Sequence, residues 1–330
     1  MIMKFNFMIS IVIPVYNAKD KMAKCLNSLI NQSSNNFEVI FIDDCSTDGS
    51  YEYLKKFFKN AKMNVKIHQN EKNSGPGVSR NNGIKMSEGK YLMFIDSDDY
   101  ITNDCIENLS KIISDNSKID CICFDFYRVN EGQIQENKMI SKSELKNMID
   151  TKEAFLYSKG TIWGKLFDLD IIRNNKIYLP NLKRNEDMPF AKVVLSYCNN
   201  IFYCQKPLYF YVAYDSSLMH NVQLLDENNA IKAYEFIENN VSFLMSDYLE
   251  QIFIKECLYS VISGVMQKGY TKKKILSITV PLEKKYNSWY NNSYIKELNF
   301  KNRVVLTLYH YRMFFLLKFV FYLKKKIYKY

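Results

Sequence analysis

Three carboxylates stand within four residues at Asp96-Ser97-Asp98-Asp99, directly after the apolar run Tyr91–Ile95. A buried strand ending there delivers its acids to a single point. Carboxylates this close repel one another and raise each other's pKa unless a cation or a hydrogen-bond donor neutralises them. A hard divalent ion is one solution, since Mg²⁺ and Mn²⁺ take one or two carboxylates and leave their remaining positions to phosphate and water. The competing reading is a polar turn that caps the next helix, near Thr102-Asn103-Asp104. A second acidic block, Asp43-Asp44-Cys45-Ser46-Thr47-Asp48-Gly49-Ser50, follows the apolar run Phe37–Ile42 in the same way.

The elements that position these acids alternate. Ile9–Pro14 reads as a strand, then comes a helix on Met22, Cys25, Leu26, Leu29 and Ile30. Phe37–Ile42 is a second strand, Tyr51–Phe58 a helix, Val65–His68 a short strand, and Val78–Met86 a helix that follows the loop Asn73-Ser74-Gly75-Pro76-Gly77. Strands with uninterrupted apolar runs, separated by helices, predict a parallel sheet covered on both faces. Ligands bind at the carboxyl edge of such a sheet, so the two acidic blocks, about fifty residues apart, face one crevice. Beyond them the sequence predicts a helix over Cys105–Ile113, a strand over Asp120–Val129, a turn at Asn130-Glu131-Gly132 and a strand over Gln133–Met139. A helix over Ser143–Tyr157, a helix opened by Arg184–Phe190 and a β pair within Ile201–Tyr214 follow, and from Asp226 the pattern is helical and lysine-rich.

At 330 residues and 47% hydrophobic composition the chain forms a substantial core and is not disordered. Its eight cysteines have no C-x-x-C or zinc-like spacing, which predicts reduced, mostly buried thiols on the cytosolic side of a membrane. His68, His220 and His310 are too scattered for a histidine-rich metal site. The apolar N-terminus lacks the small-residue cleavage site of a signal peptide, and the run Ile9–Val15 suits a first strand better. No stretch of uncharged apolar residues is long enough to span a bilayer. Of the net charge of +10, eight charges lie within residues 301–330, which contain no acid. The remainder carries no basic stripe, so nucleic acid is not an expected partner. Residues 304–330 mix Leu306, Leu308, Phe314, Phe315, Phe319, Phe321 and Tyr322 with lysines. That mixture suits a helix lying on an anionic membrane surface, the alternative being a helix packed on its own domain or in a dimer.

Five segments, in order over residues 8 to 215, together resemble family 2 glycosyltransferases of the GT-A fold, the nucleotide-sugar-dependent enzymes of bacterial surface glycans. They are Ile13-Pro14-Val15-Tyr16-Asn17, the Asp43–Ser50 block, Gly75-Pro76-Gly77-Val78-Ser79-Arg80-Asn81, Asp96-Ser97-Asp98-Asp99, and Glu186-Asp187. The resemblance implies an α/β, Rossmann-like, mostly parallel sheet flanked by helices, with a helical C-terminal region. It also implies a nucleotide-sugar half over 8–140, an acceptor and catalytic-base half over 141–220, and a helical region over 221–330.

The same resemblance implies roles for individual residues. Pro14 and Tyr16 line the nucleotide pocket with Asp43, and Asp44 meets the uracil ring; Arg80 contacts phosphate. Asp98 and Asp99 hold Mn²⁺ or Mg²⁺ and the diphosphate, with Asp96 on ribose or metal. Asp187 is the catalytic base and Glu186 its neighbour. Trp163, in Trp163-Gly164-Lys165-Leu166-Phe167, is a wall of the acceptor site or a buried core tryptophan, and His220 reaches back over the diphosphate, although Tyr211-Val212-Ala213-Tyr214 lacks the arginine that often follows there. The implied activity is inverting, metal-dependent transfer from a UDP-sugar to a saccharide acceptor of capsule or lipooligosaccharide type, on a lipid carrier at the inner face of the cytoplasmic membrane. A sugar-nucleotide binder that has lost transfer is the alternative. A nucleotidyltransferase is disfavoured, because Val15–Asp20 is not the glycine-rich basic loop it would need after strand one.

Overall fold

The structure of the chain, a computed structural model, describes residues 7–116, 118–142, 146–182, 184–213 and 227–327. Helix α1 (Ala23–Ile30) joins β1 (Phe7–Val15) to β2 (Phe37–Asp43), α2 (Ser50–Phe57) joins β2 to β3 (Asn64–Gln69), and α3 (Pro76–Met86) joins β3 to β4 (Gly89–Phe94). The four strands lie side by side in the order β3-β2-β1-β4, all parallel. Strand β2 is buried along its whole length, as a strand covered on both faces must be. Helix α3 comes so close to β1 that a Cβ on Gly83 would stand 2.3 Å from a Val12 methyl. Glycine permits that approach, and it brings Arg80 of the same helix to the carboxyl edge of the sheet.

The sheet continues through β5 (Tyr100–Ile101), β6 (Cys121–Asn130), β7 (Gln133–Asn137), β8 (Met148–Ile149), β9 (Lys165–Asp168) and β10 (Ile201–Val212), with α4 (Cys105–Asp115), α5 (Thr151–Tyr157), α6 (Leu169–Asn174) and α7 (Asp187–Ser196) between them. Its order is β3-β2-β1-β4-β9-β6-β10-β5, with β7 on β6 and β8 on β10. Strand β9 runs antiparallel to both neighbours, β4 and β6, so the sheet is mixed beyond the parallel half.

Two local expectations change. The β pair within Ile201–Tyr214 is one long strand: Pro207 lacks an N–H for the ladder and produces register shifts between Cys204 and Tyr209 instead of a turn. The helix expected over Ser143–Tyr157 begins only at Thr151, where the Asp150 side chain accepts the Lys152 N–H as an N-cap, and Met148–Ile149 pairs with β10. Ser143 itself lies outside the described residues. The Trp163–Phe167 segment runs into β9.

Contacts divide the chain into two compact units, one of Met1–Tyr214 with Asn240–Ser242, the other of Asp215–Asn239 with Phe243–Tyr330. The described residues of the second unit are mostly helical. Its helices are α8 (Glu227–Asn240), α9 (Leu249–Ile252), α10 (Tyr259–Gln267), α11 (Lys272–Glu283), α12 (Phe300–His310) and α13 (Phe314–Ile327), with a π-helical stretch, Phe253–Leu258, joining α9 to α10. Phe253, Cys257, Ile262, Val265, Leu306, Tyr309 and Leu317 are among its buried residues. The boundary expected near 215–225 falls outside the described residues. Among the described residues no helix is long and apolar enough to cross a membrane. All eight cysteines are free thiols, six of them buried.

Candidate active site

The loops that leave β1 and β2 are laced together. The Asn17 N–H donates to Ser46 Oγ at 3.0 Å, Ala18 N–H to Ser50 Oγ at 3.0 Å, and Lys19 N–H to Asp48 Oδ2 at 3.0 Å. Asn17, held at φ 47°, accepts the Thr47 N–H on its side-chain oxygen at 2.8 Å. Asparagine tolerates this left-handed conformation better than most residues. Tyr16, carried on this loop, is half exposed, and Pro14 is partly buried beside it.

The two acids that end β2 divide their work. Asp44 accepts Asn70 Nδ2 at 2.8 Å and Ser74 N–H at 3.0 Å on Oδ1, and Gly75 N–H at 2.7 Å on Oδ2. Both oxygens therefore fasten the glycine-bearing loop, where Gly75 sits at φ 88°. Asp43 spends Oδ2 on Ser46 N–H and Gln69 Nε2, each at 3.0 Å, while its buried Oδ1 has no hydrogen-bond partner among the described residues. Sequence reasoning assigns the uracil to Asp44; the atom with spare accepting capacity is on Asp43.

Arg80 is the hub. Its guanidinium, 4% exposed, donates from Nη1 to Glu186 Oε1 at 2.7 Å and Asp187 Oδ1 at 3.0 Å, and from Nη2 to Asp96 Oδ1 at 2.7 Å. A planar fork of this kind suits several carboxylates at once. Sequence reasoning aims Arg80 at phosphate; in the structure three acids from the end of β4 and the start of α7 occupy it. Asp187, about a quarter exposed, is the first residue of α7. Burial raises its pKa, Arg80 opposes, and the charges of Glu186 and Asp96 add to the rise, leaving it at about 7. Glu186 is buried against Arg80 and Gly77.

The acids after β4 divide in the same way. Asp99 is 1% exposed, with Oδ2 accepting the Tyr209 hydroxyl at 2.6 Å and Oδ1 accepting the Val212 N–H at 2.7 Å. The Tyr209 hydroxyl in turn accepts the Asp96 N–H at 3.2 Å. Burial, then the charges of Asp96 and Asp98, push Asp99 well above the usual carboxylate range. Asp98 is partly exposed, and burial with the neighbouring Asp96 charge raises it as well.

This donor set can be tested against Mn²⁺ or Mg²⁺. Each Asp99 oxygen already accepts one hydrogen bond, from Tyr209 and from Val212. Asp98 fits, with the Asp96 oxygen that Arg80 leaves over. Among the described residues no three or more His, Cys, Asp or Glu side chains form a cage, but these ions need only one or two carboxylates where phosphate completes the shell.

Two residues that sequence reasoning passed over matter here. Tyr209, 110 residues from Asp99, stacks at 4.9 Å and 6° on Trp163, whose other stacking partner is Tyr211 at 5.3 Å. Trp163 is therefore buried and props Tyr209, the core alternative to a wall for sugar. Lys165 is fully buried and donates to the Lys159 and Thr161 carbonyls at 2.9 and 2.7 Å; burial lowers its pKa. Its position in Trp163-Gly164-Lys165 was visible, its burial was not. His220 lies outside the described residues.

Comparison with known proteins bears on the family and the fold. The poly(ribitol-phosphate) beta-glucosyltransferase of Bacillus spizizenii is 30% identical over 258 residues, 74% of this chain and 40% of that protein. Poly(ribitol-phosphate) beta-N-acetylglucosaminyltransferase TarS of Staphylococcus aureus is 29% identical over 206 residues, 61% of this chain and 35% of that protein. The chain thus spans less than half the length of either relative. The crystal structure of S. aureus TarS 1-349 in complex with UDP-GlcNAc shares the fold, with a TM-score of 0.73 at 21% identity over 95% of this chain and 90% of that one. Residues 10–173 match the model of glycosyl transferase family 2, and the chain belongs to that family.

Proposed function

We propose that the chain is an inverting glycosyltransferase that moves a sugar from a UDP-sugar to a hydroxyl of a saccharide acceptor in bacterial surface-glycan synthesis, with the acceptor carried on lipid. The observation that carries this reading is the Arg80 network, which joins Asp96 of the acidic tetrad to Glu186 and Asp187. A transferase needs a station for the departing diphosphate and a base for the incoming hydroxyl at a fixed separation.

Asp187 takes the proton of the acceptor hydroxyl as that oxygen attacks the anomeric carbon from the side opposite the nucleotide, the in-line arrangement of inversion. Its pKa of about 7 is matched to that task. Arg80 and Glu186 hold its carboxylate in place. Asp98, with the remaining Asp96 oxygen, would hold Mn²⁺ or Mg²⁺, which supplies Lewis-acid neutralisation of the diphosphate. Asp43 Oδ1 accepts the ring N–H of the base, and Pro14 and Tyr16 cover its face.

The test is release of UDP from a panel of UDP-sugars with Mn²⁺ and saccharide acceptors. Asp187→Asn is expected to lower kcat by about 10²–10⁴-fold while UDP affinity stays unchanged. In the unmodified enzyme kcat/KM is expected to rise with pH through about 7, because Asp187 accepts a proton only once it has lost its own. Full activity in Asp187→Asn sinks the base. Tight UDP binding without turnover on any acceptor favours a binding protein instead.

A further inference from the structure

Helix α13 is apolar on two opposite sides. Phe314, Leu317 and Phe321 are buried, and at 3.6 residues per turn they share one side of the helix. Phe315, Phe319 and Tyr322, spaced i, i+4 and i+7, share the other and are 85, 52 and 55% exposed. Leu316 and Leu323 extend the same stripe and are exposed too, as are Tyr311 and Met313 just before the helix. Single exposed apolar residues are ordinary, but a continuous aromatic stripe marks an interaction surface.

Charge and length indicate what covers it. Residues 301–330 hold eight Lys and Arg and no Asp or Glu, and Lys318, exposed, borders the stripe. A second copy would bring this positive charge against itself, whereas an anionic lipid surface has the opposite sign. The helix has 14 residues, so it is about 21 Å long against a hydrocarbon core of about 30 Å, and it lies along a bilayer without crossing it.

We propose that α13 docks on an anionic membrane surface, with Phe315, Leu316, Phe319, Tyr322 and Leu323 among the acyl chains and the basic residues at the headgroups. The docking itself is independent of transfer chemistry. It deepens the proposed function by naming the surface on which a lipid-carried acceptor would be met, and only that consequence rests on the transfer reading.

The test is co-sedimentation of the full chain with phosphatidylcholine vesicles and with vesicles containing about one-third phosphatidylglycerol. Partition into the anionic vesicles is expected to exceed that into neutral ones by about tenfold or more, and to fall at high salt. The double variant Phe315→Glu, Phe319→Glu is expected to lose about tenfold or more of that partition while keeping the far-ultraviolet circular dichroism and thermal unfolding of the unmodified chain, which shows that it is folded. Equal partition of the chain and its variant, or no binding to anionic vesicles, overturns the proposal. So does sedimentation velocity showing that the substitutions merely convert a dimer to a monomer, since the face then belongs to a second copy. Failure of transfer on a soluble acceptor concerns the transfer reading alone and leaves vesicle binding as it is.

Discussion

The end of β2 and the end of β4 each present two adjacent acids to the same edge of the sheet, and they are neutralised differently. At β2, peptide N–H groups and amide side chains surround Asp43 and Asp44, and one buried oxygen, Asp43 Oδ1, is left over. At β4, a tyrosine hydroxyl and one N–H engage Asp99, and burial, then the charges of Asp96 and Asp98, still push it up. The β2 end thus offers one buried acceptor oxygen, and the β4 end a concentration of acidic groups. In both, one acid of the pair is spent on the scaffold and its neighbour keeps the capacity for a ligand. Glu186 and Asp187 repeat the division, one buried on Arg80 and the other partly open.

The largest effect that sharpens this contrast is at Arg80. Arg80→Lys keeps the charge but not the fork, so kcat is expected to fall by about 10²-fold through misplacement of Asp187. Calorimetry should show UDP affinity within about twofold of the unmodified chain. A loss of UDP affinity with kcat preserved would return Arg80 to phosphate. Next is Tyr209→Phe, which removes the donor to a fully buried carboxylate and should destabilise the first unit by about 1–3 kcal/mol in urea unfolding. An unchanged midpoint would mean that Asp99 needs no such clamp. The smallest effect separates the β2 acids: Asp43→Asn should weaken UDP binding by about tenfold, roughly one charge-assisted hydrogen bond. Asp44→Asn should appear chiefly as lowered thermal stability, because its oxygens hold Ser74 and Gly75. Equal losses of UDP affinity in the two variants would erase the distinction.

Much of this was legible in the sequence for a physical reason. Strands β1, β2 and β4 are covered on both faces, so they read as unbroken apolar runs, and the acids that end them announce the edge of the sheet. Strand β9 leaves no trace because four residues, Lys165–Asp168, are too few to show a period, and the register shifts around Pro207 lie within what is one strand, β10. Asp98 and Asp99 look alike in the sequence for a different reason. Which of two adjacent acids is buried depends on β10 arriving with Tyr209 and Val212, more than 100 residues later in the chain. An aromatic residue on a strand reads as core, and nothing local reveals that its hydroxyl is aimed at a carboxylate. The same holds for Arg80, whose partners Glu186 and Asp187 are brought in by α7.

The division of labour between Asp98 and Asp99 is tested most directly by Mn²⁺ binding in the presence of UDP, followed by electron paramagnetic resonance. Asp98→Asn is expected to abolish the bound-ion signal at concentrations that saturate the unmodified chain. Asp99→Asn is expected to retain it while lowering thermal stability. Loss of the signal in Asp99→Asn with retention in Asp98→Asn would contradict the account.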